Sequence, residues 1–159
     1  MPREIEGEPK GQQRRIGIVV AKFNEFVNRM LLDSAVATLV EQGVDDDDIT
    51  VAWVPGAVEI PIAAQKVAAT YHYNAVIAIG CVIRGGTPHF DYVCEAVNNG
   101  VGRVSLDTGV PVIFGVLTTD TTEQALERAD ASQGNKGREF ALGALEMIDV
   151  LTRIGPHRV

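Results

Sequence analysis

His89 follows Gly85-Gly86-Thr87-Pro88, directly after the longest apolar run of the chain. An imidazole, titrating near pH ~6.5 in water, can both take and give a proton at neutral pH. Gly85-Gly86-Thr87 offers backbone N–H groups and a hydroxyl, with no side-chain bulk at two positions. Such a turn before a helix can hold a phosphate. It lacks the Gly-Lys-Ser/Thr ending of a Walker A loop and is not a dinucleotide fingerprint. Taken alone, two adjacent glycines read as a plain turn, and His89 reads equally as a helix-cap or surface histidine. Arg128 and Lys136 lie near Gly134 and Gly137. Either could hold a phosphate, Arg bidentately; by themselves they read as partners in surface ion pairs. Phe23 could stack on a planar ring. Glu59 stands at a predicted helix start, where a carboxylate is favoured in any case. Phe114, inside a predicted strand, reads by itself as core.

Metal chemistry finds no support in the spacing. Cys81 and Cys94 make neither a disulfide framework nor a four-ligand zinc site, and read as buried thiols in a reducing compartment. No two histidines share a ligand spacing: His72 lies in Tyr71-His72-Tyr73, as a surface or interface residue, and His157 in a polar tail. The acidic run Asp45 to Asp48 lacks the alternating ligands and central glycine of a calcium loop, and reads as a solvated turn.

Four apolar runs must position these groups: Arg15–Ala21, Ile49–Val54, Ala75–Ile83 and Pro111–Leu117. They are nearly continuous, as suits strands covered on both faces. Helical patterns alternate with them. Glu25–Gln42 places Phe26, Met30, Leu31, Ala35 and Leu39 at helical spacing, and Gly43 is a natural left-handed stop. Glu59–Ala69 carries Ile62, Ala63 and Val67, with Pro61 in its first turn. Asp91–Leu106 carries Val93, Ala96, Val97 and Val101, a pattern that Gly100 and Gly102 weaken. Asp120–Ala129 opens with Asp120 and Glu123 at capping spacing. Arg138–Leu151 closes the series, with Phe140, Ala141, Ala144, Leu145, Ile148 and Leu151 on one face. Alternating strands and helices predict an α/β fold, a four-stranded parallel sheet in flavodoxin-like order between two helical layers, with right-handed crossovers. Ligands of such sheets bind beyond the carboxyl ends of the strands. The segments there are Lys22–Glu25, Pro55–Glu59, Arg84–Phe90 and Thr118–Asp120.

Residues 1–14 are polar and read as a flexible or externally docked arm, 15–154 as one domain, and 155–159 as a polar tail. The chain has 159 residues, 46% hydrophobic and 22% charged, which is globular usage and excludes a disordered chain. Its 14 basic and 21 acidic residues give a net charge of −7, a poor basis for binding nucleic acid. No signal core and no membrane span is visible, so a soluble cytoplasmic protein is expected.

Taken together, these segments resemble the lumazine synthase family. The resemblance is carried by Phe23-Asn24-Glu25, Val54-Pro-Gly-Ala-Val-Glu-Ile-Pro61, Gly80-Cys-Val-Ile-Arg-Gly-Gly-Thr-Pro-His-Phe-Asp-Tyr-Val93, Phe114-Gly-Val-Leu-Thr-Thr-Asp120, Glu123-Gln-Ala-Leu-Glu-Arg128 and Gly134-Asn-Lys-Gly137. The pieces fall in the family's order across residues 16–152. The resemblance implies a transferase that condenses 5-amino-6-ribitylaminouracil with 3,4-dihydroxy-2-butanone 4-phosphate. Its product is 6,7-dimethyl-8-ribityllumazine, the penultimate intermediate of riboflavin biosynthesis, formed with release of phosphate and water. No metal or organic cofactor is implied.

Residue by residue, the resemblance implies that Phe23 stacks on the pyrimidine. Ala57, Val58 and Glu59 contact the ribitylaminouracil, Glu59 through ribityl hydroxyls. Cys81, Val82 and Ile83 line its pocket. Gly86 and Thr87 hold the phosphate by N–H groups, Arg128 supplies the counter-charge, and His89 transfers protons. Phe114 and Lys136 reach the site from a neighbouring subunit. Where this chain has Val58 the family more often has an aromatic residue, which removes one ring contact. The resemblance further implies a homo-pentamer whose arm, around Ile5-Glu6-Gly7, pairs with a neighbour's sheet. It leaves open a 60-subunit icosahedral shell and association with riboflavin synthase.

Two other readings compete. A flavin-binding flavodoxin-like module calls for a Ser-, Thr- and Gly-rich loop after the first strand, where this chain reads Ala21-Lys22-Phe23-Asn24-Glu25. A container that had lost catalysis would need none of Phe23, Thr87, His89 and Arg128.

Overall fold

A computed structural model describes residues 1–156, so His157 and most of the expected tail lie outside the described residues. Four strands, β1 (Ile16–Ala21), β2 (Ile49–Val54), β3 (Ala75–Ile83) and β4 (Val112–Thr119), form one all-parallel sheet in the order β2-β1-β3-β4. This is the expected order. Alternate side chains of a strand face opposite ways, and the two faces have separate cores. Ile16, Ile18, Val20, Ile77, Ile79 and Cys81 pack under α1 (Glu25–Glu41), α4 (Thr122–Ala129) and α5 (Lys136–Ile154). Val19, Ala21, Val76, Ala78 and Val116 pack under α2 (Ile60–Ala69) and α3 (His89–Thr108).

Several boundaries differ from the sequence reading, each for a local reason. The apolar stripe of α1 is turned toward Val27, Asn28 and Leu32, and leaves Phe26 exposed. Ile62 and Leu151, counted on the core faces of α2 and α5, are exposed as well. Helix α3 starts at His89, not Asp91, and passes unbroken through Gly100 and Gly102. A Cβ at Gly100 would stand 2.6 Å from Cγ of Pro61. The glycine is therefore what lets α2 and α3 approach. Thr118 and Thr119, expected in a loop, extend β4, where Thr119 pairs with Ile83.

The cap of α4 is Thr121, not Asp120. Its hydroxyl accepts from Gln124 N–H at 3.1 Å, and Gln124 Oε1 accepts from Thr121 N–H at 3.3 Å. Asp120 is turned away to Arg84, whose Nε donates to it at 2.8 Å. Helix α5 begins at Lys136, two residues earlier than its apolar pattern. Phe114 is not core but 38% exposed, beside Cys94, Glu95, Asn98 and Thr118 in a shallow concavity of about 410 Å³.

Part of the N-terminal arm lies along its own chain. Glu8 N–H donates to Asp149 Oδ2 at 2.8 Å, and Gly11 N–H donates to the carbonyl of Gln42 at 2.9 Å. A Cβ at Gly7 would collide with the backbone of Glu146, so this stretch hugs α5 closely.

Candidate active site

The carboxyl ends of β1, β2 and β3 meet at one edge of the sheet, and their following segments enclose a cavity of about 500 Å³. Such an edge is where open parallel sheets take ligands. Phe23 and Asn24 form one wall, Pro55–Glu59 a second, and Cys81–Ile83 the floor. Gly85, Thr87, His89, Phe90 and Val93 close the remaining side. The lining is mostly apolar with a few polar groups, the usual make-up of a small-molecule site.

The β1–α1 connection has only three residues, Lys22 to Asn24. Its N–H groups extend the pairing of β1 with β2: Lys22 donates to the Val54 carbonyl at 2.8 Å, and Phe23 to that of Pro55 at 3.1 Å. Asn24 turns the chain in the left-handed region (φ 64°), which asparagine tolerates better than most residues. Its side chain does not cap α1. Nδ2 donates instead to the carbonyl of Cys81 at 2.8 Å, joining the loop to β3. The outcome is a Phe23 ring that is 72% exposed on a backbone bonded to its neighbours.

After β2 the chain makes a single 3-10 turn, Ala57–Glu59, closed by Glu59 N–H donating to the Gly56 carbonyl at 3.2 Å. It presents Val58 and Glu59 as exposed side chains on the cavity wall. A Cβ at Gly56 would stand 3.2 Å from Glu59 Oε1, so this carboxylate lies back across the turn.

After β3, Arg84 braces the glycine loop. Its N–H donates to the Thr119 carbonyl at 2.8 Å. Its guanidinium lies 4.3 Å from the Phe90 ring centroid, 2.8 Å from Asp120 and 3.7 Å from Asp91. A Cβ at Gly85 or Gly86 would meet nothing within 4 Å among the described residues. Packing within the chain does not call for glycine at either position. His89 opens α3 and is exposed at the cavity rim. Burial pushes the Cys81 thiol up to about 11, so it stays protonated at neutral pH and is a wall, not a nucleophile. Burial also raises the Cys94 thiol. Among the described residues, no three His, Cys, Asp or Glu side chains are grouped to hold a metal.

Nine of the residues singled out from the sequence line this cavity: Phe23, Ala57, Val58, Glu59, Cys81, Val82, Ile83, Thr87 and His89. Gly86 stands beside lining residues without lining it. Arg128, Phe114 and Lys136 do not line it. Arg128 is exposed and donates to the Gln124 carbonyl at 3.1 Å. Lys136 pairs with Glu139 at 2.8 Å. Asn24, Pro55, Gly56, Gly85 and Phe90 also line the cavity; they fall in the strand-end segments read from the sequence but were given no role there, while Val93 and the bracing by Arg84 were missed. A polar residue directly before a helix was the available sign for Asn24. The brace had none, because Asp120 looked like a helix cap.

The 6,7-dimethyl-8-ribityllumazine synthase family model matches residues 13–152. A 6,7-dimethyl-8-ribityllumazine synthase of Desulfatibacillum aliphaticivorans is 52% identical over 150 residues, which cover 94% of this chain and 97% of that protein. Both matches run through all four strands and the cavity at the ends of β1, β2 and β3, and on these grounds the chain belongs to the 6,7-dimethyl-8-ribityllumazine synthase family.

Proposed function

We propose that the cavity behind Phe23 and His89 is where this enzyme condenses ribitylaminouracil with the butanone phosphate, and that a neighbouring copy of the chain completes it. The condensation itself follows from family membership. The observation that carries the shared site is the division of the chemistry-bearing residues: nine line the cavity, while Arg128, Phe114 and Lys136 lie outside it. A phosphate substrate needs a counter-charge, and among the described residues no lysine or arginine lines the cavity.

The exposed Phe23 ring stacks on the planar pyrimidine, with Val58 beside it and Glu59 accepting from ribityl hydroxyls. Backbone groups of Cys81, Val82 and Ile83 meet the pyrimidine edge. The Gly85-Gly86-Thr87 turn, just before the first turn of α3, takes the phosphate on N–H groups. Side chains are absent at two of these positions, which leaves room for the ligand. Arg128 of a second copy supplies the charge, and Phe114 and Lys136 close the site from that copy.

The pyrimidine amine attacks the ketone carbonyl, and water leaves to give an imine. Inorganic phosphate then departs, the ring closes through the ribitylamino nitrogen, and a further water is lost. Holding both substrates together removes much of the entropic barrier. Phosphate N–H donors and Arg128 favour the departing anion. His89 at the rim moves protons between nitrogen, carbon and oxygen centres during these steps. The family resemblance supports a pentamer as the assembly that brings a second copy to the site, with the Ile5–Gly7 end of the arm pairing with a neighbour's sheet. Among the described residues, no helix is long and apolar enough to cross a membrane.

The direct test mixes purified oligomer with both substrates and follows lumazine absorbance together with phosphate release. Coupled formation of both supports the reading. No product above the spontaneous background would favour a flavin-binding or container role. For the shared site, His89→Ala and Arg128→Ala oligomers are dissociated, mixed and reassembled. Recovered activity places the two side chains on different subunits. No recovery puts them on one.

A further inference from the structure

Asn28 is the fourth residue of α1 and 0% exposed, one of the few fully buried polar side chains among the described residues. Its Nδ2 donates to two carbonyls, those of Ala21 at 2.8 Å and Phe23 at 2.9 Å. Its Oδ1 is buried and has no hydrogen-bond partner among the described residues. An unpaired buried amide oxygen is costly, and asparagine is an indifferent helix former. An aliphatic residue would avoid both costs, so packing alone does not account for this side chain. What the amide accomplishes is to hold the β1–α1 loop from the side opposite β2. The Phe23 backbone is then bonded at both ends: its N–H to Pro55, its carbonyl to Asn28. An aromatic ring that is 72% exposed has little packing of its own to fix it, so its direction depends on those two bonds.

We infer that Asn28 is a positioning residue for the pyrimidine substrate, acting through Phe23 and never touching the ligand. This rests on the reading of Phe23 as the stacking platform. With the amide removed, the Phe23 carbonyl loses its partner, the loop gains alternative conformations, and the ring spends less time in the stacking geometry. The cost falls on binding of the planar substrate, while the glycine turn after β3 keeps its own supports, the bonds of Arg84 to Thr119 and Asp120.

The test is a kinetic cycle on the intact oligomer with Asn28→Ala, Phe23→Ala and the double variant. Asn28→Ser, which keeps one short donor, serves in place of the alanine variant if the latter does not assemble. Asn28→Ala should raise the KM for ribitylaminouracil about five- to tenfold, the worth of roughly one hydrogen bond, and leave the KM for the butanone phosphate unchanged. In the Phe23→Ala background the same substitution should add nothing. A full Asn28 effect without the ring, or equal rises for both substrates, would overturn the inference as a merely structural role. If Phe23→Ala raises the pyrimidine KM and Asn28→Ala does not, this inference alone fails. Should Phe23→Ala leave that KM unchanged, the stacking reading fails and the inference with it.

Discussion

Arg84 Nε donates to Asp120 Oδ1 at 2.8 Å, a side-chain bond that joins the glycine loop after β3 to the turn that launches α4. The loop carries Thr87 and leads to His89, and α4 carries Arg128 near its end. Both partners are largely exposed, so the pair itself adds little to the stability of the fold. Its geometric effect is larger, because the same guanidinium also covers Phe90. Arg84→Ala is expected to leave the urea midpoint nearly unchanged and to raise the KM for the butanone phosphate by about tenfold or less. Steady-state kinetics with each substrate varied in turn checks this. A rise confined to the pyrimidine KM would contradict it.

His89→Ala should slow turnover by roughly 10²–10⁴-fold, the ordinary worth of a positioned proton-transfer group. Activity should not vanish, since holding the two substrates together remains effective without it. Single-turnover absorbance at saturating substrates measures this. Undiminished turnover would remove His89 from the mechanism.

Legibility in the sequence followed the physical range of the interactions. Strands were readable because the two central ones, β1 and β3, are buried on both faces, and two-sided burial writes itself as an unbroken apolar run. Strand-end segments were readable as the site because parallel sheets put all their carboxyl ends on one edge. What could not be read were cross-element choices. Asp120 had the spacing of a cap, yet a distant Arg84 claimed it and Thr121 took the role. Gly100 looked like a helix breaker, but its meaning lies in Pro61 of another helix. Nothing in the sequence sets Asn28 apart from other polar helix residues, and only the fold shows it reaching back to two carbonyls.

Gly137 gives a prediction about stability alone. A Cβ there would stand within 2.9 Å of Ser34 Cβ and still closer to the carbonyl of Leu31, so the first turn of α5 rests directly on α1. Gly137→Ala must push the two helices apart, against a general preference of helices for alanine worth up to ~1 kcal/mol. Overpacking of this kind costs about 1–3 kcal/mol and outweighs that preference when the obstacle is backbone. The variant should unfold at lower urea concentration with an unchanged slope. An equal or higher midpoint would show that α5 can shift without cost.

The docking of the arm should depend on pH through Asp149. Its carboxyl is held below the ordinary carboxylate range, first by the N–H of Glu8, then by Arg153 Nε at 2.8 Å. A depressed value means that the folded state favours the charged form. Its contribution is therefore complete above the unfolded carboxylate value near pH ~4 and is lost as pH falls through the lower, folded value. Asp149→Ala removes the acceptor at every pH. The stability difference between wild type and Asp149→Ala should be constant from neutral pH down to about pH 5, then shrink steadily on further acidification. Urea unfolding of both proteins across that range measures the difference directly. A gap that widened toward low pH would mean that the folded state prefers the protonated acid, and the arm would then be held by something other than the Asp149 carboxylate.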